Sequence, residues 1–214
     1  MKGLLLNQYY AVEKSFWVYL IIGLVFAVGL VVIDNSAVQR VAVLLPFSFM
    51  ASAAIEVLKH ESTSGWSKYV LTLPVRRERV VQSHYLFFTL VSSVGLFIVG
   101  IQFLLSQFLF GITLNPGYIY SIMNALGLVF ILGFITYPLT YILGTEKAEA
   151  IMMVGVGVGI GVFFLSSLLY ELVFISVQSI NLDLMFSLSF ILITLILFII
   201  SYIVSIQVYK RKEF

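Results

Sequence analysis

The pentad His60-Glu61-Ser62-Thr63-Ser64 opens like the helix motif of zinc proteases, in which two histidines one turn apart hold the metal and the glutamate beside the first acts as base. Position 64 is serine, so the second ligand is missing and no metal site results. A second chemical signature is the run Gly155, Gly157, Gly159 and Gly161, which is glycine-rich like a phosphate-binding loop. It lacks the closing Lys-Ser/Thr and lies inside an apolar stretch, so it reads instead as two small-xxx-small pairs that let another helix approach closely, a packing seam or a flexible point in the fifth span. His84 has no acid at helical spacing and reads as an interface residue rather than a base. The serines and threonines of the apolar stretches have no His or Lys nearby in sequence, and hydroxyls in such places bond to backbone or to neighbouring helices. Glu56 has Lys59 and His60 at i+3 and i+4, the spacing of a helical ion pair. Glu171 has no local partner; it lines a vestibule or simply reaches water, and is the candidate pathway residue. Ionisable groups at the middle of the apolar stretches are absent, which argues against proton- or sodium-driven transport. No catalytic constellation is present, and the chain is expected to be no enzyme by itself and to bind no cofactor.

The elements that carry these residues are set by composition. Of 214 residues, 61% are hydrophobic and 10% charged, with a mean hydropathy of +1.10. A soluble domain carries about 25% charged residues and has too little interior to hide so much apolar surface. Disordered chains are poor in aromatics, whereas 15% of this chain is aromatic. The surrounding medium is lipid. The absence of cysteine excludes disulfides, thiolate metal sites and acyl or prenyl anchors through sulfur.

Continuous apolar runs, rather than ten-residue alternation, predict helices and not barrel strands. We read an all-α integral membrane protein, a single transmembrane domain over residues 1–214, with six spans near 15–33, 41–57, 85–110, 118–143, 151–174 and 184–209. No small-residue cleavage site follows the first span, which is read as retained rather than as a signal peptide. An even number of spans puts both termini on one side. That side holds Lys2, Lys14, Lys59, Lys68, Arg76, Arg77, Arg79, Lys147, Lys210, Arg211 and Lys212, and the other holds only Arg40. The bias marks the rich side as cytoplasmic, with the protein in the plasma membrane of a cell expected to be bacterial.

The longest polar segment, 58–84, is then a cytoplasmic loop. Trp66, Tyr69, Val70 and Leu73 fall at i, i+3, i+4 and i+7, the face of a short amphipathic helix whose start Ser62, Thr63 or Ser64 caps. Pro74 ends it and suits the first turn of a following helix, Val75 to Tyr85, which carries Arg76, Arg77 and Arg79. The stripe either lies among lipid headgroups or docks into a partner protein, and both readings stand. Leu5, Tyr9, Val12 and Phe16 form a similar stripe, which predicts an interfacial helix over 1–14. Gly144 to Glu149 is a compact charged turn, with Glu146 and Glu149 suited to the N-terminus of the fifth span.

The loop pattern of Glu61, Gly65, Trp66, Tyr69, Leu71, Leu73, Pro74, Arg77, Val80 and Val81, with the six spans and the N-terminal helix, resembles the permease subunits of type-2 ABC exporters. Within that class it is most similar to the small permeases of phenol-soluble modulin peptide exporters. The resemblance implies that Glu61, Gly65, Trp66, Tyr69, Leu73 and Pro74 form a coupling helix seated in a groove of a separate ATP-binding subunit, which holds ATP and Mg. It implies that Arg76, Arg77 and Arg79 follow at the membrane face and that Glu146 and Lys147 make a second contact. It further implies a pair of permeases, identical or paralogous, with spans one and five at their seam. The family's larger, partly re-entrant segment after span five has only about 176–185 available here, which leaves little chain for an outer gate. The apolar walls suggest a hydrophobic or amphipathic cargo: peptide, lipid-like or drug-like. Lipid is the other expected partner and nucleic acid is not one. A non-transporting membrane scaffold or immunity protein is the second reading.

Overall fold

The computed structural model describes residues 1–31, 36–110, 117–174 and 181–211. Helix α1 spans Lys2–Val31, α2 Ser36–Thr63, α3 Trp66–Tyr69, α4 Arg77–Phe110, α5 Gly117–Leu143, α6 Ala148–Phe174 and α7 Leu182–Arg211. Short 3₁₀ turns cover Val70–Thr72 and Thr145–Lys147. All but α3 are long and apolar enough to cross a bilayer, which gives the six spans read from the sequence. The described residues contain no strand.

Helix α2 is the axis of the bundle: 61% of its apolar window is buried, against 17% in α1 and in α6. Its inward side places Phe47, Met50, Ile55 and Leu58 in one buried core with Phe88 of α4. The expected interfacial helix over 1–14 does not form as a separate element. The first thirteen residues of α1 continue without a break into the span, and the stripe covers neighbouring helices instead of headgroups: Val12 is buried in the core, with Leu5, Tyr9 and Phe16 packed on it. Gln8, also buried, donates from Nε2 to Ser83 Oγ of α4 at 2.9 Å and fixes this part of α1 to the bundle. Periodicity identified the buried face, but a stripe carries no label for what covers it.

The α5–α7 seam is built from glycines and phenylalanines. A Cβ at Gly127 would lie 2.6 Å from the Phe190 ring, and one at Gly133 would lie 2.7 Å from Phe198. Each ring of α7 thus fills the space a side chain on α5 would take, and α5 and α7 approach closely. Pro138 adds a specific bond to the same seam. Proline has no N–H, so the carbonyl of Phe134, four residues back, loses its helical donor. Ser201 of α7 donates to that carbonyl at 3.1 Å, which is how a proline is accommodated in a span.

The glycine run of α6 behaves only half as expected. Gly155 and Gly159 are buried and meet Leu132, Thr136 and Ile131 of α5, whereas added Cβ atoms at Gly157 and Gly161 would meet nothing within 4 Å. One small-residue pair is a packing seam within this chain and the other faces outward.

Candidate functional site

The polar segment after α2 is more compact than its periodicity suggests. Helix α2 runs on to Thr63, so residues 58–63 are helical rather than loop. The hydroxyls expected to cap a new helix close the old one: Thr63 Oγ1 donates to the carbonyls of Lys59 and His60, and Ser64 Oγ to that of His60 at 2.7 Å. Gly65 then takes φ 71°, a left-handed conformation that glycine enters without the Cβ clash. The chain reverses into the single turn α3, tightens to 3₁₀ at Val70–Thr72, and leaves extended at Leu73 before Pro74. The following helix starts at Arg77, two residues later than Val75.

The stripe is correspondingly split. Val70 is buried, Trp66 and Leu73 rest half-covered on the core, and only Tyr69 stands out, 56% exposed, with its ring 5.5 Å from that of Trp66. Around Tyr69 the exposed side chains are Lys68, Thr72, Pro74 and Arg76, with Arg77 and Arg79 beyond. Arg77 donates from Nη1 to the Lys210 carbonyl at 2.9 Å, and Glu78 pairs with the Lys210 ammonium, so the start of α4 is tied to the end of α7. Arg79 reaches Gln82 at 3.3 Å. Glu146 and Lys147 are exposed on the 3₁₀ turn before α6. Glu149, expected to serve the start of α6, does sit in its first turn, and it also receives Lys59 Nζ of α2 at 2.8 Å. His60 lies 3.4 Å from Glu56 as the spacing suggested, while Ser15 of α1 donates to the same Glu56 oxygen.

Glu61 departs from the expected docking role. It is buried, with Oε1 3.0 Å from Nε2 of His84. His84 is therefore no peripheral interface residue: it is buried, and its Nδ1 is 2.8 Å from the hydroxyl of Tyr141. One arrangement of protons satisfies all three groups: Nε2–H donates to the Glu61 carboxylate and the Tyr141 O–H donates to Nδ1. The Tyr137 hydroxyl donates to the His84 carbonyl at 3.4 Å. The next residue, Tyr85, places its hydroxyl 2.6 Å from Ser201 and 2.8 Å from Ser205 of α7. Ser201 gives its proton to Phe134, so Tyr85 donates to Ser201 and accepts from Ser205. Two consecutive residues of α4 thereby hold α2, α5 and α7 at one level, directly behind α3.

A cavity of about 190 Å³ separates this node from the polar corner. It is bounded by Glu61, His84 and Tyr141 on the inner side and by Lys68, Gly144 and Glu146 on the outer. The elements that bear the exposed tyrosine and the second charged turn thus share a wall with the buried network. Sequence reasoning missed the node because its members are far apart in the chain. Its one legible trace is that Tyr137 and Tyr141, and likewise Ser201 and Ser205, recur at i, i+4 in apolar helices, where two polar groups on one face require a common partner.

Glu171 is exposed near the end of α6 and does not line this cavity. The connections around 32–35, 111–116 and 175–180, including the first half of the segment considered for an outer gate, lie outside the described residues. Among the described residues no cluster of His, Asp or Glu could hold a metal.

Six helices long and apolar enough to cross a bilayer define a multi-pass membrane protein. The sequence model described as ABC-2 family transporter protein matches residues 3–210, and the chain belongs to that family. It is an ABC-2 permease, the membrane part of a transporter whose other part is an ATP-binding subunit. No curated protein and no solved structure matches it.

Proposed function

We propose that the chain is the permease of an ATP-driven exporter and that the corner from Gly65 to Arg76 is its coupling element. ATP and Mg bind in the partner subunit. The observation that carries the reading is the exposed aromatic of this corner, Tyr69, set on a one-turn helix with exposed cations beside it and the Glu61–His84–Tyr141 node across a small cavity. An aromatic ring ringed by Lys and Arg is the composition of an interface anchor, while a headgroup-binding segment would present a longer apolar face. Closure of the ATP-binding subunits pushes on this corner, and the node passes the push to α2, α4, α5 and α7 together. The turn bearing Glu146 and Lys147 supplies the second contact.

Two such permeases, identical or paralogous, enclose the pathway. Helices α1 and α6, the least covered of the six, supply their seam, and Gly157 and Gly161 leave room for close approach. The apolar walls suit a hydrophobic or amphipathic cargo. The test is ATPase activity of the purified complex with its ATP-binding subunit. Tyr69→Ala should lower permease-dependent stimulation at least tenfold while leaving the permease folded, because Tyr69 contributes little to the core. Unchanged complex formation and stimulation in the Trp66→Ala/Tyr69→Ala double variant would show that the corner is not the docking element.

A further inference from the structure

At the end of the bundle opposite α3, the helices part around an open cleft of about 470 Å³, lined by the beginnings of α2, α5 and α7 and the later turns of α6. That volume is within the usual range for small-molecule sites. Arg40 and Asp183 line it, both exposed, and no ion pair joins either to another described residue. Deeper in the wall, Ser187 is 1% exposed and its hydroxyl reaches no hydrogen-bond partner among the described residues; the Asn124 carbonyl oxygen is likewise buried and unpartnered. Buried polar groups are normally satisfied, so two orphans in one cleft point to a polar occupant. Phe163 and Phe164 of α6 form the apolar wall, and the Phe164 ring, 61% exposed, continues the cleft onto the membrane-facing side of that helix.

The charge pattern restricts the occupant. A purely anionic headgroup would suit Arg40 and oppose Asp183, a cationic one would do the reverse, and a hydrocarbon would leave Ser187 and Asn124 unsatisfied. We infer that this cleft binds the zwitterionic headgroup of a membrane amphiphile, a phosphate ester carrying a primary ammonium, with its chain laid over Phe163 and Phe164. Arg40 holds the phosphate, Asp183 and the Asn124 carbonyl oxygen accept from the ammonium, and the Ser187 hydroxyl donates to the ester linker. The site lies within one chain and does not depend on the exporter reading or on which face of the membrane it opens to.

The full chain in phosphatidylglycerol nanodiscs, doped with a photoactivatable phosphatidylethanolamine, tests this. Labelling should concentrate on the facing parts of α6 and α7 and be competed by unlabelled phosphatidylethanolamine but not by soluble phosphoethanolamine. Arg40→Gln and Asp183→Asn, both at exposed positions, should each weaken it about tenfold, the size of one charge-assisted bond. Unchanged labelling in both variants overturns the site. Dependence on Arg40 alone overturns the zwitterionic assignment, and equal competition by the soluble headgroup overturns the amphiphile.

Discussion

His84 and Tyr85 are neighbours in sequence whose side chains bond to different helices, His84 to α2 and α5 and Tyr85 to α7. Losing one partner costs more than the bond itself, because the other stays buried without it. Glu61→Ala and His84→Ala should each destabilise the chain by about 1–3 kcal/mol, read as a lowered thermal unfolding midpoint in detergent. Glu61→Gln, which keeps the shape and one acceptor, should lose less. If the node also transmits motion, these variants will lower ATPase stimulation in complexes that still assemble, whereas Lys59→Ala will not. Gly65→Ala tests a different property. An added methyl meets no atom within 4 Å, so the loss comes from the φ of 71° alone, roughly 1 kcal/mol, seen as a misdirected α3 with weaker partner binding.

The helices themselves were legible in the sequence because each is a long apolar run, and all six are present, though α1 and α4 begin well before the expected spans, at Lys2 and Arg77. What periodicity could not assign was the partner of each face. The stripe of Leu5, Tyr9, Val12 and Phe16 reads alike whether it meets lipid or α4. Within the candidate site, Pro74 was visible as a turn signal, Tyr69 as part of an apolar stripe, and Gly65 through the loop pattern. Glu61 was misplaced because its partner lies 23 residues away on another helix, a separation that local spacing does not reveal. Packing makes a sharp contrast testable on α5 and α6. Gly127→Ala drives a methyl into Phe190 and should destabilise by about 1–3 kcal/mol. Gly157→Ala, in open space, should leave the folded chain unchanged, and any effect on association of two permeases would locate their seam.

For the molecule as a whole, the Lys and Arg partition is the strongest expectation that direct measurement can check. The chain has no cysteine, so single introduced thiols report without background. Thiols at Glu146 and Arg76 should react with an impermeant maleimide only after the membrane is opened, and one at Arg40 should react on intact cells. A reversed pattern would invert the protein and remove the argument that α3 faces the ATP-binding subunit. Mass measurement of the purified permease, alone and with its partner subunit, gives the number of copies directly.

Helix α6 is joined to the rest of the bundle very unevenly. Its first turns are held by Lys59 through Glu149 and by Gly155 and Gly159 against α5, while much of its later length is exposed. Just upstream, Gly144 has φ 103°, a conformation open mainly to glycine. Mechanically, α6 is held at its foot by an ion pair and close helix packing, and higher up by ring contacts of Phe163 and Tyr170 with α7. By contrast, α2, α4, α5 and α7 are bolted together across their width. If a partner pushes on the corner at α3, the four bolted helices should move as one body, with α6 sliding against α7 along the wall formed by Phe163 and Phe164.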